Sequence, residues 1–568
     1  MGKRVLVVGA VALGSKAACR LKRLEPDAEV LLIDQDEHIS YGGCGIPYYV
    51  SGDVADASEL QSTSFHMLRD ERFFKDCKDI DVLTRTRVTA INRKGKTIDI
   101  VRQDGSKDSL AYDKLVIGTG SRVRDLAING QNLKGIFSVG SLRDAIAIKS
   151  TIAAGQAGTA VVVGGGFIGL EMAEALADMW GIETTVVEIA DQIMPGFVGP
   201  EMAHMAQQHM EGQGVSFRLG ERVIRFEGED GTVARVVTDK ESLEADLVII
   251  AAGIVPNGEL AADAGLEVGW NGGIVVDAHM RTTDPDIYAG GDCVLVANAL
   301  TGKPGYYPLG SLSNRQGRVI GDNLAGKESV SPPVVGSFVV KLFETCLCGA
   351  GLTLKRALEE GFDAVSVRMC QLDRAHFYPT KELMYLELVV DRKTRQILGI
   401  QGSGSKGDAT VGRINAVAAL LPRKPVVEDI SNMEFAYSPP FSSAMDIVNA
   451  LGNVADNLLD GRMHPIGCEE FAEKWEAIQK GDICLIDCRA RADAKVYEEK
   501  YPAFWKGIPQ DELLQRLDEL PEGKPLVLIC NTGVRSYEAQ LNLRAKGHTD
   551  NVTVFGGVAM LKHWGMDI

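Results

Sequence analysis

The chain has 568 residues, 45% of them hydrophobic, and a formal net charge of −17. This length predicts roughly three to five domains, and the acidic balance argues against nucleic acid or an anionic membrane as the main partner. No apolar run is long enough to cross a membrane. Eleven cysteines without zinc-like spacing indicate reduced thiols in a cytoplasm and no metal site.

The first predicted elements form a nucleotide-binding unit. Turn amides at a helix N-terminus suit a pyrophosphate, and a carboxylate after the next strand suits ribose hydroxyls. Val11 replaces the middle glycine of G-x-G-x-x-G, so an ordinary strand–helix turn is the alternative. The elements are strand Lys3–Val8, turn Gly9–Gly14, helix Ser15–Leu24 and strand Glu29–Ile33, which ends on Asp34.

A single cysteine follows this unit. Cys44 lies among Gly42, Gly43 and Gly45 in the stretch SYGGCGIPYY. Glycines on both sides keep side-chain bulk away, so a flat ring could stack on one side and a thiol substrate could reach the other. A buried structural cysteine in a turn is the alternative.

The second nucleotide unit has the complete glycine pattern. Strand Ala160–Val163 runs into Gly164–Gly169, a helix begins at Leu170, and strand Thr184–Val187 ends on Glu188. Glu188 has the spacing expected for a ribose-binding carboxylate. A carboxylate repels a 2′-phosphate and no Arg or Lys follows closely, which predicts NADH over NADPH. A nucleotide-like fold that has lost its ligand is the alternative.

Two further turns complete the pattern. Strand-forming residues of Tyr112–Gly120 close on a G-T-G turn, and strand Ile287–Ala289 ends in Gly290-Gly291-Asp292. The Asp292 carboxylate can accept hydrogen bonds from a polyol chain while the following helix N-terminus faces phosphate.

Residues 1–450 resemble the two-dinucleotide-binding-domain flavoproteins, the pyridine-nucleotide disulfide oxidoreductases. They are most similar to the single-cysteine branch, which contains coenzyme A disulfide reductase, persulfide reductase and NADH oxidase. The resemblance implies redox chemistry at Cys44 and a slight displacement of the pyrophosphate by Leu13, where the branch usually carries glycine. It implies FAD at Gly9, Ala10, Val11, Ala12, Gly14, Asp34, Thr119, Gly120 and Asp292, and NADH at Gly164, Gly166, Gly169 and Glu188.

The resemblance also indicates the acceptor. The turn that contains Val11 resembles that of the reductases, because water-forming oxidases carry a histidine in that part of the turn. No second cysteine stands in a C-x₄-C spacing with Cys44, so the disulfide partner must be an external thiol. By resemblance this thiol is coenzyme A, and a net-acidic protein needs a local basic cluster for such a polyanion. The implied contacts are Arg20, Arg23, Ser40 and Lys78, whereas Lys22 equally fits a solvated helix face.

Residues 332–446 resemble the dimerisation domain of the family. That domain lends two tyrosines to the partner's active site, and they match Tyr378 and Tyr437. A phenol can hydrogen-bond a thiolate or protonate a leaving sulfur, which predicts a homodimer; interface packing is the alternative. Cys346 and Cys348 alternate in a strand and are predicted to be core residues.

A linker at Leu451–Pro465 and a separate domain are predicted to follow. Strand Cys484–Ile486 ends in Asp487-Cys488-Arg489, and strand Leu526–Ile529 runs into C-N-T-G-V-R-S at Cys530. This resembles a rhodanese domain, in which Cys530 would carry a persulfide. Loop amides, the helix dipole and Arg535 would hold the anionic sulfur. A decayed rhodanese fold is the alternative.

The predicted fold class is α/β, with two Rossmann-like domains, an α+β dimerisation domain and an α/β rhodanese domain. The implied function is NADH-dependent reduction of a persulfide, polysulfide or coenzyme A disulfide at Cys44. Two alternatives stay open: an NADH oxidase, and a sulfur carrier in which the flavoprotein part is a redox-sensing scaffold. The boundaries are FAD-binding 1–120 and 250–328, NADH-binding 121–249, dimerisation 329–450, linker 451–465 and rhodanese 466–568.

Overall fold

The computed structural model describes residues 2–405 and 407–568. The chain forms two compact units, the first comprising Met1–Asp191 and Gln213–Val334, the second Gln192–Gly212 and Val335–Ile568. Within the described residues, every helix is too short or too polar to span a bilayer. The same residues contain no group of three acidic, histidine or cysteine side chains that could hold a metal ion.

The first unit contains two parallel five-stranded sheets, each bearing a glycine turn at the carboxyl ends of its strands. Apolar runs make these strands, because both faces of a parallel sheet are covered; Val5, Leu6 and Val7 are fully buried. In spatial order the first sheet is Ile287–Ala289, Lys114–Ile117, Arg4–Val8, Glu29–Ile33 and Asp81–Leu83. The second is Val215–Leu219, Glu183–Glu188, Thr159–Val163, Leu247–Ile250 and Ile136–Ser138.

The remaining elements of the first unit surround these sheets. The helices are Leu13–Leu24, Ile46–Ser51, Ala57–Gln61, Glu71–Lys78, Leu142–Ala153, Phe167–Ala177, Glu259–Asp263 and Gly310–Leu324. The further strands are Thr86–Asn92, Thr97–Arg102, Lys107–Ala111, Ser121–Val123, Val223–Glu229, Thr232–Thr238, Ser242–Glu244, Ile254–Pro256, Ile274–Val275, Val294–Ala297 and Pro304–Gly305.

The second unit is centred on an antiparallel five-stranded sheet. Cys346 and Cys348 are buried in its second strand and point to one face, so their prediction as core residues is confirmed. The strands are, in spatial order, Phe338–Leu342, Thr345–Gly351, Ile397–Ser405, Leu383–Asp391 and Ala364–Leu372. The accompanying helices are Pro200–Gly212, Leu354–Glu359, Asp408–Leu420, Val427–Ser431 and Ile447–Leu459.

The predicted linker 451–465 is wrong over its first nine residues. These belong to the helix Ile447–Leu459, whose first turn is capped by the Asp446 carboxylate accepting from the Val448 N–H. Its glycine and asparagine content suggested a loop, but Val448, Leu451 and Ala455 recur at helical spacing and are buried. Such an amphipathic face packs against a core and keeps the segment ordered.

The C-terminal part is a parallel five-stranded sheet with helices on it. It packs on the antiparallel sheet, because the Tyr385 ring stacks on His563 with centroids 4.0 Å apart and the Cys370 thiol donates to the Gly556 carbonyl at 3.3 Å. Its strands are Pro465–Ile466, Asn551–Val554, Leu526–Ile529, Cys484–Asp487 and Trp505–Gly507. Its helices are Cys468–Lys480, Arg491–Lys500, Val534–Ala545 and Gly557–His563.

Candidate functional site

The two glycine turns of the first unit have the same geometry despite their different sequences. Gly9 and Gly164 open them at φ +96° and +114°, in the region that favours glycine. A Cβ on Gly14 would lie 1.9 Å from the Gly9 carbonyl oxygen, and one on Gly169 would lie 1.9 Å from that of Gly164. Glycine at both positions therefore lets each helix start close against its strand, and Val11 does not alter the turn.

The acidic residues after the second strands also correspond. Asp34 Oδ2 accepts from the Ala10 N–H at 2.7 Å, and Glu188 Oε2 accepts from the Gly165 N–H at 2.7 Å. Both carboxylates are buried, and desolvation raises the pKa of Asp34. Each is fixed at its turn, where ribose hydroxyls would find an acceptor.

The third turn is built around Leu13. Its side chain is 4% exposed, and a Cβ on Gly290 would lie 2.5 Å from its Cδ1. Leu13 therefore packs into the core beside the G-G-D turn. Asp292 accepts from the Ser121 hydroxyl at 3.4 Å and the Ser313 hydroxyl at 3.2 Å, and burial raises its pKa.

These features fit two dinucleotides. The glycine cradles admit no side chain at Gly9, Gly14 and their counterparts, and a Cβ on Gly166 would meet nothing within 4 Å. The open space at Gly166 leaves room for a pyrophosphate to approach the backbone. Ser121 and Ser313 were missed by sequence reasoning, because only folding brings them to Asp292.

Cys44 is the middle residue of a different structural feature, a 3₁₀ turn over Gly43–Gly45. It is exposed, and a Cβ on Gly310 would lie 3.4 Å from its Sγ. Gly310 is the first residue of the 15-residue helix Gly310–Leu324, so the positive end of that helix favours the thiolate. Partial burial of the sulfur, followed by the charges of Glu171 and Asp292, acts the other way and raises the pKa of Cys44.

Glu171 is a site residue that the sequence analysis did not identify. It lies on the helix Phe167–Ala177, which packs against the helix Ile46–Ser51 beyond Cys44. Burial raises the pKa of Glu171 to about 7, Glu174 adds to the rise, and a hydrogen bond from Tyr48 opposes it. A carboxyl on a largely apolar helix next to the glycine motif was the available signal.

A basic groove of about 250 Å³ lies between two helices of the first unit. It includes the predicted Arg20 and Arg23, of which Arg20 also pairs with Asp322 at 2.6 Å. The charges of Arg23, Lys78 and Lys16 oppose the rise in pKa that burial gives Cys19, so Lys78 belongs to the same cluster. The lining residues are Lys16, Arg20, Arg23, Asn314, Arg315 and Arg318.

Two of the four predicted contacts, Ser40 and Lys78, are not among the residues that line this groove. Ser40 is buried with a left-handed backbone at φ 52°, and its N–H donates to the Ala10 carbonyl at 2.9 Å. Lys22, which the sequence left undecided, pairs with Asp79 at 2.7 Å, and its side chain is only 9% exposed, so it does not lie on a solvated helix face. Arg315 and Arg318 were missed, because they lie far along the chain from Arg20.

The two predicted tyrosines lie on neighbouring loops of the second unit. The Ala375 N–H donates to the Pro439 carbonyl at 3.2 Å, which ties the loop of Tyr378 to that of Tyr437. Tyr437 is 51% exposed, and Phe377 and Phe441 are more exposed still. An exposed apolar surface of this kind is typical of a protein interface.

Cys530 occupies a preformed loop of the second unit. Its Sγ accepts from the Gly533 N–H at 3.2 Å, and Gly533 has φ +97°. Arg535 lies in the first turn of the helix Val534–Ala545. Cys530 is 1% exposed, so the loop encloses the sulfur instead of presenting it.

The predicted D-x-R pair is structural support beside this loop. Arg489 Nη2 lies 2.6 Å from Asp487 Oδ2, and both side chains are buried. The Trp505 indole N–H donates to the same carboxylate at 3.0 Å. The pair thus satisfies its own charges, as buried ions must.

Family comparisons match three consecutive parts of the chain. The profile of the pyridine nucleotide-disulphide oxidoreductases matches residues 3–313, that of their dimerisation domain residues 339–448, and that of rhodanese-like domains residues 470–559.

Individual proteins extend these matches. The chain is 34% identical to an NAD(P)H sulfur oxidoreductase (CoA-dependent) of Pyrococcus abyssi, covering 80% of this chain and 98% of that protein. It is 33% identical to an NADH oxidase of Methanocaldococcus jannaschii, covering 77% and 95%. A solved NAD-dependent persulfide reductase from A. fulgidus has a TM-score of 0.91 and 38% identity, and the match covers 98% of this chain and 99% of that one.

Proposed function

The chain belongs to the pyridine nucleotide-disulphide oxidoreductase family, and we propose that it uses NADH to reduce persulfides, polysulfides or coenzyme A disulfide at Cys44. It is an oxidoreductase with the fold of that family, carrying a dimerisation domain and a rhodanese domain. The similarity to a persulfide reductase over nearly the whole chain supports sulfane sulfur as the acceptor.

One observation carries the proposal. The helix Gly310–Leu324 begins beside the Cys44 sulfur and carries Arg315 and Arg318 of the basic groove. Since a helix rises about 1.5 Å per residue, Arg318 is roughly 12 Å from that N-terminus. A thiol on a long flexible arm with a polyanionic tail fits this arrangement, and coenzyme A has that chemistry.

The residues of the first unit suit FAD and NADH. Asp34, Asp292 and the Gly9–Gly14 turn would hold FAD, and Glu188 with the Gly164–Gly169 turn would hold NADH. When bound, FAD would carry two electrons from NADH to sulfur at Cys44. Glu188 is a carboxylate with no cation to receive a 2′-phosphate in the predicted pattern, which supports NADH as the donor.

The work of Cys44 is thiol–disulfide exchange. As a thiolate it attacks one sulfur of coenzyme A disulfide and breaks the S–S bond, which releases the coenzyme A thiolate. With a persulfide it attacks the inner sulfur and hydrosulfide leaves, and in both cases Cys44 ends in a mixed disulfide with the external thiol. The helix beginning at Gly310 favours the thiolate. We further propose a homodimer in which Tyr378 and Tyr437 of the partner subunit protonate the leaving sulfur; their exposed apolar surroundings support an interface there.

The test is a steady-state NADH assay with four acceptors: oxygen, coenzyme A disulfide, coenzyme A persulfide and polysulfide. We expect sulfur acceptors to be reduced at a rate well above that of oxygen. The proposal would be overturned if oxygen alone supported the full rate of NADH consumption and no sulfur acceptor increased that rate.

An NADH oxidase is the second candidate, favoured by the similarity to a protein of that name. Oxygen uptake equal to NADH consumption in the absence of sulfur acceptors would support it. A sulfur carrier is the third, favoured by the preformed loop at Cys530. Stable labelled sulfur on Cys530 with negligible NADH turnover would support that function instead.

A further inference from the structure

Cys530 has a second thiol beside it. The strands Cys484–Asp487 and Leu526–Ile529 are parallel neighbours, with Asp487 opposite Ile529. Cys488 and Cys530 are the next residues on each, and the Cys488 N–H donates to the Ile529 carbonyl at 2.8 Å. Neighbouring strands lie about 4.8 Å apart, which falls within the Cα separations of about 4.4–6.8 Å that disulfides span.

Both side chains also point to the same face of the sheet. Successive side chains of a strand alternate between faces, and one apolar cluster takes every second residue of the two strands. Cys488 and Cys530 are both members of it and are at most 1% exposed. From these two strands it contains Ile486, Cys488, Leu526, Leu528 and Cys530, with Cys484 packed against it.

We propose that Cys488 is a resolving thiol that attacks the Cys530 persulfide and releases hydrogen sulfide. The Cys488 sulfur bonds to the Cys530 Sγ as the bond from Sγ to the outer sulfur breaks. The outer sulfur leaves with the electron pair and takes up the Cys488 proton. The balance is Cys530–S–SH plus Cys488–SH giving Cys530–S–S–Cys488 plus H₂S, in which the outer sulfur is reduced and the two cysteines are oxidised.

The surroundings favour this direction of attack. The Gly533 N–H lies on the loop side of Cys530 Sγ, where the outer sulfur would be held, whereas Cys488 approaches from the apolar cluster. Displacement at sulfur proceeds through the thiolate of the attacking group. Burial, then the neighbouring Cys530 and Asp487, raise the pKa of Cys488, and Arg535 opposes them. Cys488 therefore rests as a thiol, so its proton must pass to the departing outer sulfur as the new S–S bond forms.

The cycle closes through the flavoprotein part, and in this respect it rests on the proposed function. Two molecules of a low-molecular-weight thiol would reduce the Cys488–Cys530 bond and form their own disulfide. A disulfide of that class is what Cys44 reduces with NADH. Sulfane sulfur would then enter at Cys530, while the electrons for its reduction would arrive through a diffusible thiol.

The test is a single turnover of the full-length holoenzyme without NADH or free thiol. Thiosulfate loads Cys530 and releases sulfite, and sulfide appears only when the persulfide is resolved. We expect about one sulfide per sulfite from the wild type and a Cys488–Cys530 linkage in a non-reducing peptide map. In Cys488→Ala and Cys488→Val, sulfite should form, sulfide release should fall at least tenfold, and the loaded chain should stay about 32 Da heavier.

Cys370→Ser is the matched control, because Cys370 is a buried thiol near the same site, as shown by the contribution of Cys530 to its raised pKa, which comes after the larger contribution of burial. It should behave as the wild type. Sulfide release by both Cys488 variants at the wild-type rate, or a wild-type chain that keeps its extra sulfur, would overturn the inference. If no sulfite forms, a low-molecular-weight persulfide replaces thiosulfate as the donor. Failure of both donors to load Cys530 would count against the inference. The NADH assay is unaffected by either outcome.

Discussion

The loops that carry Cys44 and Cys530 each position a thiol, but their surroundings differ. Cys44 is exposed, lies between glycines, and depends on the end of a helix that begins 266 positions later, at Gly310. Cys530 is buried in a loop whose Gly533 N–H donates to its sulfur, and Arg535 lies in the first turn of the helix that follows. The first loop leaves the Cys44 side chain exposed, while the second encloses that of Cys530.

The two sites differ in the origin of the sulfur atom with which each cysteine would form a disulfide bond. Burial, and then the charges of Glu171 and Asp292, raise the pKa of Cys44, so bound cofactor and substrate would complete its environment. Cys530 has Cys488 on the adjacent strand and needs only a small donor. Substitutions that affect Cys44, which depends on bound molecules, without affecting Cys530, which has its partner thiol in the chain, therefore test the comparison directly.

The largest effect is expected for Cys44→Ser. A hydroxyl cannot form a mixed disulfide, so NADH-dependent reduction of coenzyme A disulfide or persulfide should fall by at least about a thousandfold. The nucleotide contacts lie elsewhere, and bound FAD should remain visible in the absorption spectrum. Cys77→Ser, which changes another exposed thiol of the same unit, should leave the rate unchanged. Substantial reductase activity in Cys44→Ser would show that Cys44 is not the redox thiol.

The next effect concerns the basic groove, which has no counterpart in the proposed chemistry at Cys530. Arg315→Ala removes one cation from the groove, and loss of a charge-assisted contact of about 1.5–3 kcal/mol predicts a KM for coenzyme A disulfide raised roughly 10- to 100-fold. The kcat/KM for inorganic polysulfide should change little, because that donor lacks the nucleotide tail. Lys22→Ala, on the same helix as Arg20 but paired with Asp79, is the control. Equal losses for both acceptors would contradict a coenzyme A role for the groove.

A smaller effect is expected for the electron donor, which serves only the Cys44 side. Glu188→Ala removes the carboxylate that would repel a 2′-phosphate, so the preference for NADH over NADPH should narrow about tenfold, or by about 1.4 kcal/mol. Ratios of kcat/KM for the two donors measure it. A wild-type enzyme that uses both donors equally would show that Glu188 does not contact the ribose. The rate of sulfite release from thiosulfate should be the same in the wild type and in Glu188→Ala.

The sequence was sufficient for features encoded in adjacent residues. The strands Glu29–Ile33 and Leu526–Ile529 lie where the apolar runs predicted them, and Gly14 and Gly169 occupy turns that no side chain could fill. These features depend on local backbone geometry, and a glycine pattern records it even when Val11 interrupts it.

The rest depends on pairings that no local pattern contains. Gly310 meets Cys44, Arg315 joins Arg20, and Cys488 faces Cys530 only after sheets and helices have assembled. The predicted linker failed for a related reason. Its residues are moderately polar, and the helix Ile447–Leu459 is recognisable chiefly from the buried face that it packs against the core.

The smallest effect is expected for substitution of Glu171, whose charge acts on the thiol of the Cys44 loop. Above its pKa of about 7, the Glu171 carboxylate is charged and raises the pKa of Cys44, while below it the charge is lost. Glu171→Gln removes that charge at every pH, so the profile of Cys44 alkylation by iodoacetamide should move to lower pH. The rate at pH 8 should rise about two- to threefold. The measurement follows the Cys44 peptide by mass spectrometry and needs no turnover.

The same substitution predicts a stability difference with a defined sign. The pKa of Glu171 is about 7 in the folded state and near the ordinary value of 4.5 in the unfolded state. The folded state binds the extra proton in this window, so stability falls as pH rises from 4.5 through 7. Glu171→Gln should therefore raise the Tm relative to wild type more at pH 8 than at pH 5. Asp178→Asn is the control, because Asp178 lines a small pocket together with Glu171 but is not among the groups that shift the pKa of Cys44. An alkylation profile unchanged by Glu171→Gln would mean that Cys44 is governed by the helix at Gly310 and its ligands alone.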